Sequence, residues 1–537
     1  MRIATAQINT HIANFEQNYQ KIIEYSNKAK DQKCDLVLFP ELALFGYWPS
    51  DLLERKELVQ EQIKYIAKLK KNIPSGIGIL FGAVTVNPGK KGKYYHNSAV
   101  FLERGKKEKV FHKELLPNYD VFEEVRQFER GSLSKGILKF KGKKFLVTIC
   151  EDIWGWGDAW IGTRYPKNPL EGLKKLKPDY ILNISASPYA INKSEKRKKV
   201  VAKTASYFKV PMVYVNQVGG QDEIIFDGGS FSVDGKGKVL SQSLFFEEDL
   251  SVIDFKNKKS GSRLPSEIEI VKLRNALVLG IKDYCNKNGF KKIHLGLSGG
   301  IDSALVACLA CDALGPNRVT TIALPGPFSS QVSFDLALQL AQNLKCQFTN
   351  VDINGIYRTA IDEFEVSLGV KEFGLMHENL QSRLRGMTLM AYSNATNSLL
   401  LTTGNKSEYA MGYSTLYGDM CGGLAPIGDL LKGQVYDLSH HYNKNSQIIP
   451  EEIITRAPTA ELRENQKDQD SLPPYPVLDK LVEKFIVNCE PPKNDFEKDI
   501  FNRIMRAEFK RWQAAPILKV SDHAFGTGRR YPITWKI

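Results

Sequence analysis

The sequence predicts an α/β protein built as an α/β sandwich with a substantial antiparallel component, followed by a doubly wound parallel sheet. Three observations predict it. The 537-residue length exceeds a single core of roughly 100–200 residues. The first half alternates short β-rich runs with helical stretches. A βαβαβ rhythm then follows a polar, aperiodic segment, Lys256-Asn-Lys-Lys-Ser-Gly-Ser-Arg263.

In chain order, branched and aromatic residues predict strands at 2–8, 35–39, 78–86, 98–103, 145–149, 180–184 and 210–215. Helical spacing occupies 14–30 and 52–71. A hairpin over 231–240 closes on Asp234-Gly235. These elements define a domain over 1–255, a linker over 256–264 and a second domain over 265–537. The second opens on a capping box, Ser266 with Glu269, before a helix lined by Ile270, Leu273, Leu277 and Ile281. Strands at 292–297, 319–324 and 347–353 alternate with helices at 302–314 and 332–344. Ligands of such a sheet bind at the carboxyl ends of its strands.

Composition excludes several classes. With 27 Phe, 22 Tyr and 6 Trp the chain has ample surface to bury and is not disordered. Its 8 Cys fall at no regular spacing, against a disulfide scaffold. Met1-Arg2-Ile3-Ala4-Thr5-Ala6-Gln7 lacks the charged and apolar regions of a signal peptide, and no apolar run approaches the roughly 20 residues of a membrane span. The expectation is a cytoplasmic protein without membrane partners. A balance of 74 basic against 60 acidic residues gives +14. The basic residues are mostly Lys, spread along the chain with few interleaved aromatics, as in the cluster 193–203. They suit a solvated surface and phosphorylated small molecules better than nucleic acid.

Three polar residues end apolar strands or sit beside them in the first half: Glu41 after Leu36-Val-Leu-Phe-Pro40, Lys113 in Phe111-His-Lys-Glu-Leu-Leu-Pro-Asn-Tyr119, and Cys150 after Phe145-Leu-Val-Thr-Ile149. A thiol becomes a nucleophile when a base takes its proton and a cation stabilises the thiolate and the later oxyanion. Glutamate and lysine supply both without histidine. The set Phe-Pro-Glu41-Leu, Lys113-Glu-Leu-Leu-Pro-Asn-Tyr119 and Cys150-Glu-Asp-Ile-Trp resembles the nitrilase superfamily of carbon–nitrogen hydrolases. The resemblance implies an α-β-β-α sandwich, with Glu41 as general base, Lys113 as oxyanion stabiliser and Cys150 as the nucleophile that forms a thioester. It also implies that Glu124 orients the lysine. In members acting on glutamine it places Tyr119, Ser187 and Lys193 on the substrate's α-amino and carboxylate groups.

The second constellation is Gly296, Leu297, Ser298, Gly299, Gly300, Ile301, Asp302 and Ser303, which follows a strand and opens a helix. Adjacent glycines admit a phosphate to backbone N–H groups, and the helix N-terminus and serine hydroxyls add donors. Asp302 conflicts with an anion unless Mg²⁺ lies between them. The Lys of a Walker loop is missing, which disfavours γ-phosphate transfer. The string is similar to the signature of ATP pyrophosphatases, a group spanning GMP, asparagine, argininosuccinate and NAD synthetases and tRNA-thiolating enzymes. Asn379-Leu-Gln-Ser-Arg383, Thr402-Thr-Gly-Asn-Lys-Ser-Glu408, Gly412-Tyr-Ser-Thr-Leu-Tyr-Gly-Asp419, Pro426-Ile-Gly-Asp-Leu-Leu-Lys432 and Arg456-Ala-Pro-Thr-Ala-Glu-Leu462 resemble NAD synthetases among them. Lys519-Val-Ser521 and Phe525-Gly-Thr-Gly-Arg-Arg530 resemble the glutamine-dependent form.

The combined resemblance covers nearly the whole chain. It implies a ligase that hydrolyses glutamine to glutamate and ammonia, then amidates deamido-NAD through an adenylated intermediate, with ATP going to AMP and diphosphate. Gly296–Ser303, Thr403 and Lys432 would bind ATP, and Asp302 and Glu408 would hold Mg²⁺. Asn379, Arg383, Glu408 and Lys510 would face deamido-NAD. A homo-oligomer is expected. Leu416 stands where ammonia-only synthetases carry Lys, which weakens a substrate role for that loop. A tRNA-directed pyrophosphatase is the rival, favoured slightly by Cys308-Leu-Ala-Cys311 and the basic charge. Those cysteines sit among apolar helix positions and read better as a buried small-residue face.

Overall fold

The computed structural model describes residues 1–157, 165–255, 259–260 and 268–535, and the chain forms two compact units, Met1–Glu269 and Ile270–Ile537. In the first, a seven-stranded sheet runs Lys259–Ser260, Asp249–Asp254, Arg2–Gln7, Leu36–Leu38, Gly78–Val86, Tyr95–Glu103, Lys109–His112. A six-stranded sheet runs Val239–Gln242, Phe231–Val233, Met212–Asn216, Tyr180–Ser185, Lys143–Ile149, Ile137–Phe140. Ile3, Leu38, Leu80 and Phe101 of one share a core with Val147, Ile184 and Val213 of the other. Helix Phe15–Asp31, capped by the Asn14 side chain, lays Tyr19, Ile22 and Ala29 on the outer face of the first sheet together with Leu69 of helix Lys56–Asn72. Helix Lys193–Phe208 covers the second sheet through Val200, Val201 and Ala205. The result is an α-β-β-α sandwich.

Several local expectations change. The basic run 193–203 is not only a solvated cluster, because its lysines alternate with Arg197, Val200 and Val201, which are buried. The helix expected at 52–71 begins at Lys56, after a separate turn at Ser50–Glu54. Strand Asp249–Asp254, unforeseen, pairs antiparallel with Arg2–Gln7 across nearly the whole unit. The linker residues 256–258 and 261–264, and Ser266 of the capping box, lie outside the described residues, whereas Lys259–Ser260 pairs with Asp249–Asp254.

The second unit carries a four-stranded, wholly parallel sheet in the order Gln347–Asn350, Val319–Ala323, Ile293–Gly296, Leu399–Leu400. The first of these ends sooner than the pattern 347–353 suggests, because the Asp352 side chain accepts from Asn354 N at 2.7 Å and turns the chain into helix Asn354–Leu368. A cavity of about 320 Å³ opens at the carboxyl ends of the strands, reached by Leu297, Leu324 and Thr402.

Candidate active sites

In the first unit, Glu41 lies three residues past strand Leu36–Leu38, Lys113 directly follows Lys109–His112, and Cys150 directly follows Lys143–Ile149. Cys150 opens a short turn, Cys150–Ile153, with φ of 43°, a left-handed conformation rare outside glycine. Asp152 holds that turn: its carboxylate accepts Ile149 N, Glu114 N and Leu115 N, each at 2.9 Å. The same carboxylate therefore ties the chain before Cys150 to the chain after Lys113.

Lys113 is fully buried and donates from Nζ to Glu41 Oε1 at 2.7 Å and to Glu124 at 2.7 and 2.9 Å. Asn97 Nδ2 donates to Glu41 Oε1 at 2.7 Å, and Ala186 N to Glu41 Oε2 at 2.9 Å. Tyr47 donates its hydroxyl to Glu124 at 2.8 Å. It is Glu124 and not Glu123 whose carboxylate reaches the lysine. Burial works against the Lys113 charge, but the Glu124 and Glu41 carboxylates outweigh it and hold the ammonium protonated. Burial lifts Glu124 to about 7 against the pull of Lys113. Burial likewise pushes the Cys150 thiol well above its ordinary value, and Glu41 pushes it the same way. The thiol at rest is protonated, with a carboxylate near enough to bear on its charge.

Of the residues expected at glutamine, the Tyr119 hydroxyl donates to Glu151 at 3.1 Å, and Tyr165 donates to the same carboxylate at 2.8 Å. Lys193 opens helix Lys193–Phe208, its ammonium 6.0 Å from the Phe122 ring and close enough to stabilise the Glu151 charge. Ser187 is fixed by Asn216 through its N–H at 2.8 Å and by Arg197 Nε to its hydroxyl at 3.1 Å; Arg197 is paired with buried Asp227 at 2.7 Å. Asn97, Tyr47, Glu151 and the Arg197–Asp227 pair were not singled out from the sequence. Glu151 was quoted there only as a flank of Cys150, and nothing local in sequence marks the others.

In the second unit the 296–303 loop closes on itself before helix Ile301–Leu314. Gly300 N donates to Ser298 Oγ at 3.2 Å, and Ser303 Oγ donates to Gly300 O at 3.0 Å. Gly299 has φ of +78°, and a Cβ there would stand 2.3 Å from Ser333 O, so only glycine fits. The loop, Asp302, Thr403, Glu408 and Lys432 all line the cavity. Lys432, almost wholly buried, donates to Asp302 Oδ2 and lies 3.5 Å from Glu408 Oε1. Burial, then the Asp302 charge, lifts Glu408 to about 8. Among the described residues no group of three or more His, Cys, Asp or Glu could hold a metal ion. Two carboxylates to be completed by phosphate oxygens and water are nevertheless what Mg²⁺ uses at nucleotide sites, so the donor set fits that ion.

Asn379, Arg383 and Lys510 are not among the residues that line the cavity. They hold the loop over 412–419 that contributes to its wall. Asn379 Oδ1 accepts from Thr415 at 2.8 Å, Arg383 Nε donates to Leu416 O at 3.3 Å, and Lys510 Nζ donates to Gly412 O and Ser414 O at 2.7 Å each. Leu416 contributes its carbonyl. Cys308 is buried within helix Ile301–Leu314, Cys311 is half-buried, and neither is disulfide-bonded.

Comparison with known proteins covers both units. Residues 2–262 match the carbon–nitrogen hydrolase family model, and residues 273–514 match the NAD synthase model. The chain is 44% identical to the glutamine-dependent NAD(+) synthetase of Synechocystis sp., over 99% of this chain and 98% of that protein. It is 37% identical to the protein of the same description from Thermotoga maritima, with the same coverage. The solved structure of glutamine-dependent NAD+ synthetase from Acinetobacter baumannii in complex with ADP superposes with a TM-score of 0.79 at 36% identity, covering 99% of this chain and 98% of that one.

Proposed function

This chain belongs to the family of glutamine-dependent NAD(+) synthetases, ligases that form a carbon–nitrogen bond, and on that premise we propose how its residues divide the reaction. Residues 1–255 release ammonia from glutamine, 256–264 link, and 265–537 consume it. The observation that carries the reading of the first half is the Lys113 ammonium lodged between Glu41 and Glu124 beside the Cys150 turn.

Glu41 takes the Cys150 proton as sulfur attacks the glutamine side-chain carbonyl, and Lys113 donates to the developing oxyanion. The proton passes to the leaving nitrogen, ammonia departs, and water, deprotonated by Glu41, cleaves the thioester to glutamate. Tyr119, Ser187 and Lys193 orient the amino-acid end of the substrate. In the second half the 296–303 loop, Thr403 and Lys432 hold ATP. A carboxylate oxygen of deamido-NAD attacks the α-phosphorus, and diphosphate leaves into the loop's donors. Ammonia then attacks the acyl carbon and AMP leaves. Adenylation is needed because a free carboxylate is a poor acyl donor. Asp302 and Glu408 would hold Mg²⁺, which when bound would supply charge neutralisation at the phosphates. Asn379, Arg383, Glu408 and Lys510 position deamido-NAD, the first two and the last through the 412–419 loop.

No helix among the described residues is long and apolar enough to cross a membrane. We place the enzyme in the cytoplasm, with small molecules rather than nucleic acid as its partners. We also place it in a homo-oligomer, which the exposed Val366, Leu368 and Leu375 side chains support and sedimentation would test.

Cys150→Ala tests the division of labour. Glutamine-supported NAD formation should fall by at least about a thousandfold, while synthesis from ammonium salts stays near wild type. Equal loss of both activities would refute separate sites.

A further inference from the structure

Asp302 and Glu408 are joined by more than Lys432. Asn405, fully buried, donates from Nδ2 to Asp302 Oδ1 at 2.9 Å, and its backbone N–H donates to Glu408 Oε2 at 3.2 Å. Its Oδ1 accepts from Glu408 N at 3.0 Å, capping helix Lys406–Met411. Lys432 takes the two remaining oxygens, Asp302 Oδ2 and Glu408 Oε1. The four residues form a closed ring in which each carboxylate gives one oxygen to Asn405 and the other to the ammonium. Asp302 and Glu408 come from helices Ile301–Leu314 and Lys406–Met411, so Asn405 is the contact that fixes their mutual orientation.

We propose that Asn405 is the positioning residue of the cation site: by occupying Asp302 Oδ1 and Glu408 Oε2 it leaves Oδ2 and Oε1 turned toward one point, which the Lys432 ammonium fills until a divalent cation takes it. The proposal rests on the reading of Asp302 and Glu408 as cation ligands. Unliganded, Lys432 keeps two half-buried acids from facing each other uncompensated, which would be costly. A cation bound there would take the place of the ammonium, which would then be free to reach the phosphates.

Two substitutions separate this role from the helix cap. Asn405→Ser and Asn405→Thr both keep an oxygen that accepts Glu408 N, as good N-caps do, but neither carries the amide nitrogen that reaches Asp302 Oδ1. Mn²⁺ in the presence of ATP, followed by electron paramagnetic resonance on the full chain, is the probe. Melting temperatures should stay close to wild type, while Mn²⁺ affinity falls on the order of 10–100-fold, as for other residues that orient metal ligands. The metal concentration for half-maximal ammonium-supported synthesis should rise in parallel, and glutamine hydrolysis should not change. Wild-type Mn²⁺ affinity in both variants overturns the positioning role. Wild-type affinity in Asp302→Asn overturns the ligand assignment itself, and the proposal falls with it.

Discussion

At the scale of single residues, the first site depends on a balance at Glu124. Burial raises this carboxyl from 4.5 to about 7, and a raised acid favours its neutral form in the folded chain. The stability it contributes is therefore complete below 4.5 and lost as pH rises through about 7. Catalysis runs the other way, because only ionised Glu124 holds the Lys113 ammonium on its second side. Glutamine hydrolysis should decline as pH falls through about 7, and Glu124→Gln should give a slower enzyme whose rate no longer shows that acid limb. Ammonium-supported synthesis by the Cys150→Ala protein should not carry the Glu124 limb in either background. A glutaminase pH profile unchanged in shape by the substitution would remove Glu124 from this role.

At the scale of elements, helix Lys193–Phe208 carries Lys193 and Arg197 on one face, toward the proposed glutamine site. Arg197 pairs with Asp227 and also donates to Ser187 O and Pro188 O, at 3.0 and 2.7 Å, so one guanidinium sets the strand-end turn that bears Ser187. Arg197→Met would leave Asp227 buried without its cation and should destabilise the first unit by about 3–5 kcal/mol, read by denaturant titration. An equal effect from Lys199→Met, on the outer face of the helix, would show that the pair is not the cause. The sequence made the strand-end positions of Glu41, Lys113 and Cys150 legible because each combines an apolar run with an abrupt polar residue. It hid this helix, whose lysines mask a buried stripe. It also hid strand Asp249–Asp254, whose pairing with Arg2–Gln7 is a contact about 250 residues away in sequence. Asn97 and Asn405 were equally unreadable, since an asparagine that bridges two carboxylates looks locally like any polar turn residue.

At the scale of the whole molecule, ammonia made by one half is spent by the other, and the nucleotide products report which chemistry spends it. The loop over 298–303 has donors for departing diphosphate and no Walker lysine. Each NAD formed should therefore release one AMP and one diphosphate. Heavy oxygen placed in the nicotinate carboxylate should appear in AMP. Label in orthophosphate, with ADP as co-product, would mean an acyl phosphate route. AMP formation that requires tRNA and ignores deamido-NAD would mean the tRNA-directed alternative.

A Cys150 sulfur held as a thiol by burial should also resist oxidation and alkylation. Peroxides and alkylating agents attack the thiolate, so a sulfur held as a thiol until substrate arrives is a poor target for both. The nucleophile of this enzyme should be slow to be poisoned in stressed cells, and its vulnerability should appear only during turnover. Brief iodoacetamide treatment of the substrate-free protein should label exposed Cys489 well before Cys150, as read by peptide mass spectrometry. Early labelling of Cys150 would show that the thiol is already ionised at rest. Burial first, and then the Glu41 carboxylate proposed to take the proton, hold that sulfur as a thiol until substrate arrives.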